Sequence, residues 1–384
     1  MKILILLTCT LLLCGCAGTT APEAETTTAP VTEATLPFPE PVPETTAPPD
    51  PVREMINDMP LEERVGQLFL ARCDDSVALQ DIQDYHLGGF VLFSRDIDGQ
   101  TPRSLRDKLD GYQSAAKIPL LIAVDEEGGT VTRISRSTAF RSSPFPSPRN
   151  AFDSGGYETA LNLEAEKCLL LQKLGINVNL GPVCDITTDP AAFMYSRSLG
   201  QSPSLTARYV SDTVALMSEH KIGSALKHFP GYGNNPDTHT GIAVDSRSLR
   251  ELEENDLYPF RSGIAAGCDA ILVSHTIVSA LDEGSPASLS PAVHRYLRET
   301  MGFDGVILTD DLVMEAITDL YGAGEAAVLA ILAGNDLLCS TDYRTQYAAV
   351  LAAVMEGRIG IDTLNKAVRN VLEWKQSLGL ILVG

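Results

Sequence analysis

The feature that most constrains the fold is an alternation, repeated eight times after residue 50, between a short apolar run and a longer stretch with helical periodicity. The apolar runs predict strands at 68–72, 89–93, 120–124, 178–180, 224–227, 270–274, 306–309 and 336–339. The periodic stretches predict helices that include 103–116, 158–174, 205–220, 248–266, 291–301, 325–333 and 361–378. Strands alternating with helices of this length indicate parallel βαβ units. Eight units predict an α/β fold, a single (β/α)₈ barrel of the TIM type.

The alternative for such a pattern is an open, doubly wound sheet. That fold would show a phosphate-binding glycine loop directly after its first strand. Residues 322–327, which read GAGEAA, loosely fit such a loop. They follow Thr318-Asp319-Leu320 rather than a strand, so they predict the start of a helix and the barrel is favoured.

The N-terminus predicts export. Lys2 is followed by an apolar segment at 3–13 and then by Leu13-Cys14-Gly15-Cys16, which resembles a bacterial lipobox with Cys16 as the lipid attachment site. A plain signal peptide or an N-terminal anchor helix is the alternative. We therefore expect a lipoprotein signal at 1–16 and a lipoprotein at the outer face of the cytoplasmic membrane, extracellular or periplasmic according to the envelope.

The next segment, 17–50, predicts a disordered tether. It holds eight Pro and nine Thr among 34 residues, with six acids and no Lys or Arg. So few apolar side chains cannot offset the entropy cost of folding. The folded domain is therefore expected at 51–384.

Charge and cysteine content exclude several classes of protein. The chain has a formal charge of −21, and residues 51–384 hold 28 basic against 44 acidic residues, a net of −16. Such an acidic domain disfavours nucleic-acid binding. Beyond the N-terminus no apolar run approaches the ~20 residues of a membrane span.

Five cysteines remain after the signal: Cys73, Cys168, Cys184, Cys268 and Cys339. They are widely spaced and form no C-x-x-C motif, which predicts buried free thiols and no zinc or iron–sulfur site.

The predicted strands end in unusually polar residues. The third ends at Asp125-Glu126-Glu127, the fifth runs into Lys227-His228, the sixth ends at Ser274-His275 and the seventh at Thr309-Asp310-Asp311. Any one of these acids could cap the following helix. In a (β/α)₈ barrel, however, all of these ends converge on one mouth, where the chemistry of such folds takes place.

These motifs resemble those of bacterial β-N-acetylglucosaminidases of glycoside hydrolase family 3, over roughly residues 55–378. The strongest element is KHFPG at 227–231, followed by a loop with Asp237-Thr238-His239. VDEEGG at 124–129 with Arg133, RSLG at 197–200, and LTDDL at 308–312 with Met314 support it. Two departures stand in the loop: Tyr232 replaces a common His, and three residues rather than four separate Gly233 from Asp237.

The resemblance implies a role for each matching position. Asp310 matches the catalytic nucleophile, His239 the general acid/base and Asp237 its partner. The positions that hold the sugar are matched by Asp125, Arg133, Arg197, Lys227 and His228. The implied activity is that of a retaining exo-β-N-acetylglucosaminidase acting on muropeptides or chitooligosaccharides. We expect it to need no cofactor or metal, to be a monomer, to bind no nucleic acid, and to meet the membrane only through its lipid.

The chemistry of the residues is compatible with these roles. A retaining glycosidase needs a nucleophile and a proton donor, normally two carboxyl groups about 5–5.5 Å apart. Histidine can act as the donor because its unperturbed pKa of about 6.5 lies near working pH. In an extended loop residues i and i+2 face the same way, so Asp237 and His239 can meet.

Several assignments stay open at this stage. Asp311 rather than Asp310 could point into the barrel, since adjacent strand residues alternate faces. His239 could be a loop residue bound to backbone, and His275 fits either a site residue or a filler of the top layer. Tyr195 could stack on sugar or simply pack, while Trp374 in the last helix is expected to pack.

Three other functions compete with hydrolysis of N-acetylglucosaminides. A phosphorylase could use the same site, because an imidazole does not repel phosphate as a carboxylate would. A β-glucosidase-type enzyme of the family is less similar, because those enzymes draw their acid/base from a second domain and only 45 residues follow Cys339. An inactive glycan-binding lipoprotein would not need Asp310, Asp237 and His239 together.

Overall fold

A computed structural model of the chain describes residues 50–235, 243–318 and 320–381. The strands of this described part are β1 (Phe69–Arg72), β2 (Gly89–Leu92), β3 (Leu121–Val124), β4 (Val178–Asn179), β5 (Gly223–Phe229), β6 (Val244–Asp245), β7 (Ala270–Val273), β8 (Ile277–Val278), β9 (Val306–Thr309) and β10 (Leu338–Ser340). Eight of them form one parallel sheet in the order β10-β1-β2-β3-β4-β5-β7-β9, and β6 pairs with β8 beside it. The eight predicted strands are confirmed, with shifts of one or two residues at most of their ends.

The sheet is nearly closed into a barrel. Its two edge strands, β9 and β10, meet through a parallel bridge between Leu308 and Leu337, and the Thr309 amide donates to the Leu337 carbonyl at 3.2 Å. A closed sheet leaves no unpaired strand edge. The predicted (β/α)₈ barrel is therefore confirmed.

Helices cover the outside of the sheet. In the described part they span Pro51–Asp58, Leu61–Gly66, Ala78–Tyr85, Ser94–Ile97, Pro102–Ala115, Pro148–Leu174, Pro203–Glu219, Leu249–Glu254, Leu257–Ala265, Pro291–Arg295, Glu315–Thr318, Ala323–Ala333, Tyr343–Met355 and Ile361–Ser377, with a 3₁₀ turn at Ala287–Leu289 and a π turn at Tyr296–Thr300. Four begin with a Ser or Thr cap followed by Pro, which lacks the N–H that a first helical position leaves unpaired: Thr101, Ser147, Ser202 and Ser290. None of the described helices is long and apolar enough to cross a membrane.

The predicted helix at 248–266 is two helices in the structure. It breaks at Asn255, where the backbone leaves helical geometry, and resumes at Leu257. The break places the Asp256 side chain in the interior, where it is 1% exposed and accepts from Arg247 Nη1 at 2.6 Å. A buried carboxylate needs such a partner, so a contact outside the segment overrides its helical periodicity.

The inside of the barrel is filled by apolar side chains of alternate strand residues. Leu70, Val91, Leu121 and Ala270 belong to this cluster, which continues to Trp374 in the last helix. A Cβ on Gly223, at the start of β5, would lie 2.9 Å from the Trp374 ring. The last helix therefore closes the N-terminal end of the barrel, and the prediction that Trp374 packs is confirmed.

All five predicted thiols are free in the structure. Cys73, Cys168, Cys184 and Cys268 are buried, and Cys339 is half-buried. Burial raises the pKa of the Cys168 thiol to about 12, so it remains protonated at neutral pH. The cysteines thus act as small apolar side chains of the core.

Candidate active site

A cavity of about 690 Å³ opens at the C-terminal ends of the barrel strands. Its lining includes six of the eight residues that the sequence assigned to catalysis and sugar binding: Asp125, Arg133, Arg197, Lys227, His228 and Asp310. Phe93, Phe193 and Tyr232 supply aromatic surface, and Arg72 lies at the end of β1. The topology brings these residues together because parallel strands of a barrel all end at one mouth.

Lys227 lies at the centre of a buried charge network in this cavity. Its Nζ is 2.6 Å from Asp125 Oδ1 and 2.6 Å from Glu127 Oε1, and its side chain is 2% exposed. Burial alone would lower the pKa of Lys227, but the two carboxylates outweigh burial and raise it. Lys227 is therefore held as a cation.

Arg197 is held by the same glutamate. Its Nε and Nη2 donate to Glu127 Oε2 at 2.8 Å and Oε1 at 2.7 Å, in the fork geometry that makes an arginine–carboxylate pair strong. Burial tends to raise the pKa of Glu127, but Lys227 and Arg197 together hold it well below its ordinary range. Sequence analysis did not assign Glu127 to the site; its position in the acidic run after β3 was the available signal.

His228 is oriented by Asp185. The ring Nδ1 is 2.8 Å from Asp185 Oδ2, and the His228 backbone amide donates to the same oxygen at 3.1 Å. Arg197 Nη2 lies 3.2 Å from the ring Nε2. Because a guanidinium can only donate, Nε2 accepts and Nδ1 carries the proton that is donated to Asp185. Asp185 was also missed in the sequence, although it closely follows the fourth barrel strand.

The two adjacent acids after β9 have different surroundings. Both acids line the cavity, and Asp310 Oδ1 accepts from the Asp311 amide at 2.9 Å. The Asp311 carboxylate accepts from Thr341 Oγ1 at 2.5 Å, from the Thr341 amide at 3.1 Å and from the Val313 amide at 3.2 Å. Asp311 therefore ties the end of β9 to the loop after β10, and this geometry favours Asp310 as the reacting acid.

His275 lies beneath this pair rather than in the cavity lining. It is fully buried; its Nδ1 is 2.7 Å from Ser288 Oγ and its Nε2 is 3.0 Å from the Asp311 carbonyl oxygen. Since that carbonyl can only accept, Nε2 carries a proton. Of the two roles left open for His275, the geometry favours support of the backbone at Asp311.

Two predicted catalytic residues, Asp237 and His239, lie outside the described residues, as does Cys16. On the N-terminal side of residues 236–242, Tyr232 lines the cavity and its amide donates to Asp185 Oδ1 at 2.8 Å. Gly231 has φ of +117°, and a Cβ there would lie 2.5 Å from the Asp256 Cβ, so only glycine fits. On the C-terminal side, the Ala243 carbonyl accepts from the Ile277 amide at 2.9 Å.

Tyr195 is not among the residues that line the cavity. The Arg149 guanidinium covers its ring at 3.9 Å from the centroid, and Arg149 Nε donates to the Tyr195 carbonyl at 2.8 Å. The structure thus supports the packing alternative for Tyr195. The aromatic wall of the cavity comes from Phe93, Phe193 and Tyr232 instead.

In the described part of the chain, one group of side chains has donor atoms close enough together to hold a metal ion: Cys73, Asp75 and Asp96, within 4.8 Å of one another. Lys108 Nζ already binds Asp75 Oδ2 at 2.7 Å, and Tyr112 donates to Asp75 Oδ1 at 2.9 Å. Burial raises the pKa of the Cys73 thiol well above its usual range. Because metal ligation requires a thiolate, these residues do not make a good metal site.

Comparison with known proteins places the chain in a family. The model of the glycosyl hydrolase family 3 N-terminal domain matches residues 60–374. The chain is 30% identical over 336 residues to the β-hexosaminidase LpqI of Mycobacterium tuberculosis, covering 85% of this chain and 84% of that protein.

Two solved structures are similar throughout the barrel. A family 3 β-N-acetylglucosaminidase from a Paenibacillus species superposes with a TM-score of 0.78 at 33% identity, over 85% of this chain and 64% of that one. A β-N-acetylhexosaminidase from Beutenbergia cavernae gives a TM-score of 0.73 at 28% identity, over 83% and 99%. The chain belongs to glycosyl hydrolase family 3 and is a glycoside hydrolase.

Proposed function

We propose that the protein is a retaining exo-β-N-acetylglucosaminidase that removes terminal β-linked N-acetylglucosamine from muropeptides or chitooligosaccharides. The observation that carries this proposal is the position of Asp310 in one cavity with the paired cations Lys227 and Arg197. The names of the relatives support N-acetylglucosaminides as substrates and favour hydrolysis over the phosphorylase and β-glucosidase alternatives.

The cavity wall suits a neutral sugar ring. Its volume of about 690 Å³ lies in the range of small-molecule sites. Sugar hydroxyls both donate and accept, so they can bind the Asp125 carboxylate and the Arg197 guanidinium. Because Lys227 and Arg197 are neutralised by their own carboxylates, this wall can bind hydroxyls without attracting free anions.

The proposed reaction has two steps. Asp310 attacks the anomeric carbon while His239 gives its proton to the leaving oxygen, so that the glycosidic bond breaks and a glycosyl–aspartate ester forms. Neutral His239 then takes a proton from water, which attacks the same carbon and releases Asp310. Asp237 would accept from one imidazole nitrogen and fix the tautomer. Two inversions leave the product with its original β configuration.

Two properties of the reaction test this proposal: the anomeric configuration of the first product, and whether water or phosphate accepts the sugar. Proton NMR of the first product from an aryl N-acetyl-β-glucosaminide should show the β anomer, followed by slow mutarotation. An initial α anomer would contradict retention. The same assay with phosphate should still give free sugar; sugar 1-phosphate as the main product would mean a phosphorylase.

The role of His239 predicts a dependence on the leaving group. In His239→Ala, glycosylation should slow by about 10²–10⁴-fold with natural glycosides, which need the proton. It should slow much less with dinitrophenyl glycosides, which do not. Pre-steady-state rates for both substrates would check this; equal losses would contradict the acid role.

The N-terminus is proposed to be a lipoprotein signal at 1–16 and a tether at 17–50, ahead of the catalytic domain at 51–384. Labelling of the expressed full chain with a fatty-acid analogue tests the attachment site. Cys16→Ala should abolish the label, whereas the matched variant Cys14→Ala should keep it. Label that persists in Cys16→Ala would contradict the assignment.

A further inference from the structure

Within the described residues, Arg72 differs from the other cations of the cavity lining, Arg133, Arg197 and Lys227, in having no acidic partner. It ends β1, on the same strand face as the interior residue Leu70, and lines the cavity. Its guanidinium lies over the Phe93 ring, 4.5 Å from the centroid. Among residues 50–235, 243–318 and 320–381 its side chain makes no hydrogen bond or ion pair, and its buried Nε has no acceptor.

Arg133 approaches the same aromatic ring. Its guanidinium is 5.7 Å from the Phe93 centroid, and its buried Nε also has no acceptor in the described part of the chain. Its Nη2 is 3.8 Å from Asp125 Oδ2, too far for a hydrogen bond. Two guanidinium groups therefore share one ring, and neither has a carboxylate of the described residues within hydrogen-bond distance.

Two other cations of the cavity, Lys227 and Arg197, are neutralised by carboxylates. Lys227 has two carboxylates at 2.6 Å, and Arg197 has a bidentate glutamate. Arg149, which also lacks an acidic partner, donates instead to the Tyr195 and Thr187 carbonyls, whereas within the described residues Arg72 has neither kind of acceptor and is left to bind an oxyanion. A planar guanidinium binds carboxylate and phosphate oxygens through paired N–H donors, and stacking on Phe93 leaves the donor edge available.

We propose that Arg72 and Arg133 form an oxyanion subsite against Phe93 and make the enzyme selective for acidic N-acetylglucosaminides. The bound group would be a carboxylate or phosphate carried by the substrate, either on the sugar beyond the scissile bond or on the N-acetylglucosaminyl ring itself. This inference rests on the proposed function. It adds a charge preference that the neutral wall around Lys227 does not provide.

Matched substrate pairs distinguish the two sources. For the neighbouring sugar, the pair is N-acetylglucosaminyl-β-1,4-N-acetylmuramic acid and the same disaccharide with its lactyl carboxylate converted to a carboxamide. For the ring itself, the pair is 4-nitrophenyl N-acetyl-β-glucosaminide and its 6-phosphate. In one pair kcat/KM should be at least about tenfold higher for the anionic member, as expected for a charge-assisted hydrogen bond, and salt should reduce that preference.

Three variants test whether Arg72 causes the preference for the anionic substrate. Arg72→Gln should remove it, Arg72→Lys should retain part of it, and Arg136→Gln, the same change at an exposed arginine outside the cavity lining, should leave it intact. The inference is overturned if wild type shows no preference in either pair, or if Arg72→Gln lowers both members by the same factor. Failure to hydrolyse any N-acetylglucosaminide would instead overturn the proposed function, so the two failures are distinguishable.

Discussion

Lys227 and Lys375 are both buried in this barrel, and their surroundings are opposite. Lys227 faces the cavity with Asp125 and Glu127 each at 2.6 Å, and its pKa is raised. Lys375, in the last helix, is fully buried and donates to Gln67 Oε1 at 2.6 Å. Burial without a carboxylate lowers the pKa of Lys375 to about 7.

The difference separates two uses of a buried charge. Gln67 precedes β1, so Lys375 lies at the N-terminal end of the barrel, which in this fold class serves stability. Lys227 lies where the strands end and chemistry takes place. We infer that the charges of the mouth are retained for the substrate, whereas the lone charge at the base costs stability.

The largest expected effect concerns reactivity at the mouth. Asp310→Asn should lower kcat by about 10³-fold or more, because an amide cannot form the glycosyl ester. Its unfolding midpoint should stay near that of wild type. Asp311→Asn is the matched control: the amide oxygen can still accept from Thr341, so most activity should remain. Comparable activity losses in the two variants would contradict the assignment.

Replacing Lys227 should lower the stability of the protein as well as its activity. Lys227→Met leaves Asp125 and Glu127 without their shared partner, and breaking a buried ion pair costs about 3–5 kcal/mol. Urea unfolding would measure this loss, and activity on an aryl glycoside should fall with it. A variant as stable as wild type would show that the network does not depend on Lys227.

The smallest expected effect comes from replacing Lys375 at the N-terminal end of the barrel. Here the free energy of unfolding should rise rather than fall. Lys375→Met should raise the free energy of unfolding at pH 6 by about 1–3 kcal/mol, because it removes an unpaired buried charge. The matched change at exposed Lys366 in the same helix should have little effect. Activity should not change in either variant.

Lys375 should also make the free energy of unfolding depend on pH. Between about pH 7 and pH 10 the folded protein has released this proton while the unfolded chain keeps it, given an ordinary lysine pKa of about 10.4. The unfolded state then binds more protons, so this group makes the free energy of unfolding rise with pH, by up to about 1.4 kcal/mol per pH unit. The difference in slope between wild type and Lys375→Met would measure it, and identical slopes would contradict the lowered pKa.

Much of the fold was predictable because its determinants are local. The run 306–309 predicts β9 to the residue, since apolar composition and flanking polar residues mark both ends. The helix break at Asn255 was not predicted; beside it, Asp256 is buried and paired with Arg247, which lies in the loop before the helix that starts at Leu249. Local periodicity contains no information about such a contact.

The candidate site was predictable where residues follow strand ends and missed where they act through distant partners. Asp125 and Asp310 directly follow predicted strands and Lys227 ends one, and the family resemblance supplied a role for each. Glu127 and Asp185 were not, because their roles depend on Arg197 and His228, which are 70 and 43 residues away in the sequence. Only the closed barrel brings those pairs together.

Trapping the covalent intermediate tests the central claim most directly. A fluorinated N-acetylglucosaminide that forms the glycosyl-enzyme quickly and releases it slowly would be incubated with the protein, followed by peptide mapping by mass spectrometry. The account predicts one added sugar, on the peptide that contains Asp310, and none in Asp310→Asn. A label on Asp311 or another residue, or turnover by Asp310→Asn at the wild-type rate, would contradict it.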